Sequence, residues 1–295
     1  MADDVFDSRR NFLKFGMYSS VFGAGVLLSS SGYSQVKRLD QLVGILGEAA
    51  RTQSWVEENR SYREAFQIPV GGALEQAPTR ARPSKTPISQ RATSLIVSFE
   101  VSSPEMYQAR YTKPVWPKGE SGVTIGIGYD IGYTRATDLR KDWAGYLDDG
   151  AIDSLLVACG VRGSRARPVA GELRNVVVPW DVALKQYQNV MQPRYVGIAE
   201  RALPNFKDLS EDCRGALVSL VYNRGASFGI PEHRDRTGRY KEMRNIKAAM
   251  TKRDYVSVPQ QIRAMKRLWN VSELPGLHKR RDAEAVLFEI GLGMS

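Results

Sequence analysis

The sequence predicts an α+β fold that is mostly helical, with one small β-hairpin. Three observations carry that expectation. From about Arg91 onward, apolar residues recur at helical spacing. One stretch breaks the rhythm: between Gly122 and Tyr133, Thr124, Ile125, Ile127 and Tyr129 are interleaved with glycine, which is strand and turn chemistry. The third is composition, because 42% hydrophobic and 25% charged residues over 295 positions suit a globular chain with a sizeable core.

Taken in order, the first element is an address. Ser8-Arg9-Arg10-Asn11-Phe12-Leu13-Lys14 resembles a twin-arginine export signal. A moderately apolar segment follows, roughly Phe15 to Leu28, short of the ~20 residues that span a bilayer comfortably. Residues 1–35 are therefore expected to be a signal peptide, with Gly32 and Ser34 as the small residues before a cut at Gln35. The expected partner is the twin-arginine translocation machinery and the expected location is the periplasm. An uncleaved signal would instead tether the chain to the inner membrane.

Residues 36–90 read as a short helix and a linker. Leu39, Leu42, Val43, Leu46 and Ala50 can share one helical face between Val36 and Glu58, either docked on the domain or forming a stalk. Residues 69–90 are rich in Pro, Gly, Ser, Thr and Arg, the composition of a flexible basic linker. The catalytic domain is expected over 91–295. Its first helix carries Leu95, Ile96 and Phe99 and ends near Glu100. After the glycine-rich interruption, Pro179 opens a helix through about Met191. Ser210 caps another from Glu211 to Tyr222, with Asn223-Arg224-Gly225 as its stop. Helices near Tyr240–Thr251 and Tyr255–Trp269 follow. Leu274-Pro275-Gly276 breaks the chain, and Lys279 to Leu292 closes it as a helix.

The net charge of +10 favours an anionic partner. No zinc-finger, RNP-type or basic-zipper pattern points to nucleic acid, whereas peptidoglycan carboxylates satisfy the same charge argument. Two histidines (His233, His278) and two cysteines (Cys159, Cys213) are too few for a metal cluster, and no Gly-x-Ser-x-Gly elbow accompanies the histidines. Gly126-x-Gly128 lacks the third glycine of a dinucleotide loop, so no cofactor is expected. An oxidising compartment permits a Cys159–Cys213 disulfide; two separately buried thiols are the other reading.

Glu100, Thr124 and Asp130 are the candidate catalytic residues. Thr124 and Asp130 lie six positions apart, so a straight strand would hold them roughly 20 Å from each other. Work at one site requires the chain to fold back at Gly126-Ile127-Gly128. Glu100 follows the apolar run Leu95-Ile96-Val97-Ser98-Phe99, where desolvation would keep a carboxylic acid protonated. Asp130, on a polar glycine-rich element, is expected to be ionised. Glu105 and Glu120 are read as solvated.

Glu100 followed by Gly122-Val123-Thr124-Ile125-Gly126-Ile127-Gly128-Tyr129-Asp130 resembles the phage-type lysozyme superfamily, and especially its pesticin-like branch. Two later segments are similar as well: Ala216 to Gly225, and Leu274-Pro275-Gly276-Leu277 with Arg280-Arg281-Asp282-Ala283-Glu284-Ala285-Val286-Leu287-Phe288. The order aspartate-after-threonine departs from ordinary phage enzymes and sides with the branch. The resemblance covers about Arg91 to Gly291 and implies a lysozyme-like domain whose hairpin borders the active-site cleft. It implies a muramidase cutting between N-acetylmuramic acid and N-acetylglucosamine, with Glu100 as acid and Asp130 and Thr124 activating water. Inversion would place the carboxyls about 6.5–9.5 Å apart. Asn223 and Arg224 are substrate-binding candidates; a helix cap and a surface ion pair are their bland alternatives. The rival functions are a peptidoglycan-binding module without catalysis and a lytic transglycosylase.

Overall fold

A computed structural model describes residues 30–62 and 78–294. The export motif and its apolar segment lie outside these residues. Among the described residues, no helix is long and apolar enough to cross a membrane.

The N-terminal helical stretch is two helices, α1 (Ser30–Ala49) and α2 (Gln53–Ser61), and both dock on the domain. The expected cut before Gln35 falls inside α1, where the Gln35 amide donates to Ile290 O. Leu42, Ile45, Leu46 and Ala49 form the buried stripe of α1; the predicted Leu39, Val43 and Ala50 are only half-buried. The second half of the expected linker is also fixed. Pro78–Arg80 forms a 3-10 turn with Pro78 and Thr79 buried. Ser84 Oγ and Thr86 Oγ1 donate to Glu200 Oε2 at 2.6 and 2.7 Å. Gly197 admits this crossing, since a Cβ there would lie 2.2 Å from Arg82 O. Specific hydrogen bonding overrides the loose composition of residues 78–90.

The domain begins with α3 (Gln90–Val101), capped by Ser89, whose hydroxyl accepts from Ala92 N. Next come α4 (Pro104–Arg110), the strands β1 (Thr124–Ile125) and β2 (Tyr129–Asp130), then α5 (Ala136–Trp143), α6 (Asp149–Leu155) and α7 (Ala166–Glu172). The helix opened by Pro179 runs further than predicted. α8 (Trp180–Gln186) passes through a π-turn at Tyr187–Met191 into α9 (Gln192–Ala202). α10 (Glu211–Arg224) has its predicted Ser210 cap, and Gly225 ends it at φ +72°. α11 (Lys241–Lys252) and α12 (Val258–Ala264) follow near their expected places. The closing helix, α13 (Pro275–Gly291), starts earlier than predicted because Pro275 and Gly276 form its first turn instead of a break. Proline suits that position, where its missing N–H costs nothing.

α10 and α13 are the central pair, and α3, α1 and α12 surround them. α10 is buried on every side. Gly215 lets α3 approach it closely, since a Cβ there would lie 2.1 Å from Ala92 Cβ. Of the two cysteine readings, the structure shows separate thiols and no disulfide: Cys159 and Cys213 are both free. Cys213 Sγ donates to Phe288 O at 3.2 Å in the α10–α13 contact, while half-buried Cys159 ends a separate 3-10 turn after α6. Burial pushes both thiols up to about 11, so each is protonated at neutral pH.

Candidate active site

The chain folds back where the glycines predicted. β1 and β2 are antiparallel, with Thr124 opposite Asp130 and Ile125 opposite Tyr129. Gly126 (φ +56°) and Gly128 (φ +71°) supply the left-handed backbone of the tip. Directly opposed residues point to the same face, so Thr124 and Asp130 are neighbours across the ladder. The Tyr222 hydroxyl donates to Ile127 O at 2.7 Å, tying the hairpin tip to α10. Tyr129 Oη donates to Asp142 Oδ2 at 2.9 Å, and Asp142 is in turn gripped by Arg194.

Asp130 is buried and engaged by backbone. Gly122 N donates to Oδ1 and Oδ2 at 3.0 and 3.1 Å, and Gly132 N donates to Oδ1 at 2.9 Å. An acceptor-only carboxylate suits this ring of donors. Both partners must be glycine, because a Cβ on Gly122 would lie 2.4 Å from Gly132 Cα and 2.6 Å from Asp130 Oδ1. Thr124 is buried beside it, its hydroxyl 3.4 Å from Gly122 O.

Glu100 occupies the last turn of α3 and is fully buried, as its apolar run suggested. Its surroundings are not only apolar. Arg280 Nη1 donates to Glu100 Oε1 at 2.8 Å, and neither side chain is exposed. Arg280 also reaches Ser219 Oγ, Glu284 Oε1 and Asn59 Oδ1 at 3.2–3.4 Å. Arg281 Nη2 donates to the same Glu284 oxygen at 2.8 Å, and Ser219 Oγ does so at 2.7 Å. The result is a dry, connected group of two carboxylates and two guanidiniums between α3, α10 and α13.

Asn223 and Arg224, the substrate-binding candidates, are both buried. Asn223 Nδ2 lies 3.4 Å from Asn59 O, and Arg224 Nη2 donates to Arg239 O at 2.9 Å. Arg224 also stacks over Trp269, 5.3 Å from the ring centre, and its burial excludes the surface ion pair that was its bland alternative. Glu120 is exposed as expected, whereas Glu105 is half-buried. His233 is exposed, and half-buried His278 pairs with Trp269 O.

Sequence reasoning missed Asn59, Ser219, Arg280 and Glu284 as site residues. The last two had a readable signal. They sit one helical turn apart among Ala283, Ala285, Val286, Leu287 and Phe288, so a helix burying those residues also buries the charges. A shallow surface concavity among the described residues lies elsewhere, along Glu200–Asp208 and Lys247. It contains none of the candidate catalytic groups. Compared with known proteins, the chain matches no family model and no curated protein.

Proposed function

We propose that the chain is a lysozyme-like peptidoglycan glycoside hydrolase, a muramidase acting by general acid/base catalysis. The observation that carries the reading is the hairpin register. Thr124 and Asp130, distant along an extended chain, stand opposite one another across a glycine tip. A hydroxyl and a carboxylate so placed can hold one water between them. In this reading Glu100 protonates the leaving glycosidic oxygen, and Asp130 with Thr124 orients and deprotonates the attacking water, giving inversion. Asn223 and Arg224 bind the glycan. Twin-arginine export would deliver the folded chain to the periplasm, where its substrate lies.

A general acid must carry a proton, and a guanidinium at 2.8 Å rewards the anion instead. Proton donation therefore requires Glu100 to exchange Arg280 for the glycosidic oxygen as substrate enters. The same burial gives a second reading some support: a peptidoglycan-binding module in which Glu100 and Asp130 serve structure alone. Digestion of purified peptidoglycan by the protein and by Glu100→Gln, followed by mass spectrometry of the released muropeptides, separates the possibilities. Reducing-end muramic products from the unsubstituted protein alone are expected. Products lacking one water would mean a lytic transglycosylase, and sedimentation with peptidoglycan without any product would mean the binding module.

A further inference from the structure

Helix α2 lies against the Glu100 centre in a manner that the proposed chemistry does not need. Its inward face consists of Trp55, Val56, Asn59 and Arg60. A helix retained only for packing is expected to be apolar there, yet two of these four residues are polar. Asn59 is fully buried and Arg60 nearly so. Asn59 Oδ1 accepts from Arg280 Nη1, the nitrogen that also holds Glu100, and Asn59 O faces Asn223 Nδ2. A single residue of α2 thus engages the partner of the candidate acid and one of the candidate glycan-binding side chains.

α2 also bridges two sides of the molecule. Toward α13, Glu58 Oε2 accepts from Gly276 N at 2.6 Å, in the first turn of that helix. Toward the segment that leads into β1, Ser61 Oγ donates to Pro117 O at 2.9 Å, and Arg60 lies over the Tyr111 ring at 4.5 Å. Its attachment to the centre itself is weak, since both Asn59 contacts there are 3.4 Å long. Apolar side chains seat both helices in the core, Leu42, Leu46 and Ala49 from α1 and Trp55 and Val56 from α2. Between the two helices the chain turns at Ala50–Thr52, and the Thr52 side chain makes no capping bond to α2.

We propose that α2 is a displaceable cover over the Glu100 centre, so that the described arrangement is the closed form. The glycan enters where Asn59 and Arg60 now sit. Asn59 makes both contacts with carbonyl oxygens, and the carbonyl oxygen of a substrate acetamido group, with its two lone pairs, can accept from Arg280 and Asn223 in their place. Trp55 and Val56 keep the cover shut without substrate. The proposal rests on the muramidase reading for the identity of the entering ligand, but not for the occlusion itself.

Gly276 provides the test. A Cβ there would lie 2.7 Å from Trp55 Cα and 2.7 Å from Glu58 Oε2, so Gly276→Ala wedges α2 away without touching Glu100, Thr124 or Asp130. The double variant Asn59→Ala/Arg60→Ala loosens the same helix by removing the Asn59 Oδ1–Arg280 contact and the stacking of Arg60 on Tyr111. Hydrogen exchange of residues 53–61 reports displacement, with at least a tenfold acceleration expected in either variant. Carbodiimide-driven coupling of glycine ethyl ester, read by peptide mass spectrometry, reports access to the Glu100 carboxyl. Full-length wild type should leave Glu100 unlabelled while exposed Glu120 reacts, and the displaced variants should label both. Peptidoglycan cleavage should rise at least tenfold. Accelerated exchange with Glu100 still unlabelled in both variants overturns the cover, as does wild-type Glu100 reacting as fast as Glu120. Labelling of Glu100 upon displacement with no cleavage in any form would keep the cover and remove the muramidase reading. Cleavage with equal Glu100 labelling in all three forms would do the reverse.

Discussion

Replacing Asp130 distinguishes its structural duty from its chemical one. Its carboxylate receives two backbone N–H groups through three contacts of 2.9–3.1 Å, all buried. Hydrogen bonds to a charged acceptor contribute about 1.5–3 kcal/mol each, against about 1 kcal/mol for neutral ones. Asp130→Asn keeps one oxygen but turns an amide NH2 toward the Gly122 N–H that now bonds Oδ2. The expected destabilisation is about 2–3 kcal/mol, a large share of the ~5–15 kcal/mol available to a domain. Asp130→Ala strands both donors and should cost about 3–5 kcal/mol. Urea unfolding followed by tryptophan fluorescence measures both, with the midpoint falling and the slope unchanged. At a temperature where Asp130→Asn remains folded, the proposed mechanism expects peptidoglycan cleavage to drop more than tenfold, because it assigns the activation of water to this carboxylate. An Asp130→Ala protein within 0.5 kcal/mol of wild type would refute the loop argument. Undiminished cleavage by folded Asp130→Asn would refute the base assignment.

Three further outcomes follow from the same geometry. Arg280→Met leaves Glu100 and Glu284 buried without that guanidinium and should cost about 3–5 kcal/mol; adding Glu100→Leu should recover part of it, read as a positive coupling in a double-mutant cycle of unfolding free energies. Burial of Glu200 opposes its charge, but hydrogen bonds from Ser84, Thr86 and Lys207 outweigh it and hold the carboxyl down at about 2. Its contribution, about 2 kcal/mol after allowance for partial exposure, is present above the ordinary value of 4.5 and lost as pH falls toward 2, so Glu200→Gln should flatten the acid limb of the stability–pH curve. Glu58 is shifted the other way: burial raises its carboxyl although the Gly276 and Leu277 amides pull it down. Its stabilisation is full below 4.5 and is lost as pH rises through the raised folded value, so Glu58→Gln should gain stability relative to wild type over that rise, measured by thermal unfolding across pH.

The hairpin was the most legible part of the fold. Two glycines between Thr124-Ile125 and Tyr129-Asp130 state both the turn and the register, because few other residues enter the left-handed region at low cost. The Ser210 cap and Gly225 stop of α10 were legible for the same local reason. Long-range matters were not. Residues 78–90 look like a linker by composition, yet Ser84 and Thr86 find Glu200 over one hundred positions away. Pro275-Gly276 looks like a break, but α2 needs Gly276 to be small, and that need appears only when the two helices meet. Glu100 was legible as a buried acid through its apolar neighbours, while its partner Arg280 lies 180 positions later. Periodicity reports which face is buried; it does not report which charges meet there.

That meeting is what the centre has to explain. A buried ion group between well-packed helices is weak evidence of stability, since apolar residues of similar volume often do as well or better. Glu100, Ser219, Arg280, Arg281 and Glu284 nevertheless interrupt the buried contact where α3, α10 and α13 converge. The polar contacts from α2 to Arg280 and Asn223 are 3.4 Å long and therefore cheap to exchange. The short Ser219–Glu284 bond can persist while a glycan amide replaces Asn59. Displacing α2 would then wet one side of Glu100 alone, giving the acid a route away from Arg280 while the rest of the charge group stays dry. In the proposed mechanism, burial of Glu100 and its access to substrate, which conflict in a static arrangement, would be reconciled by the movement of one short helix.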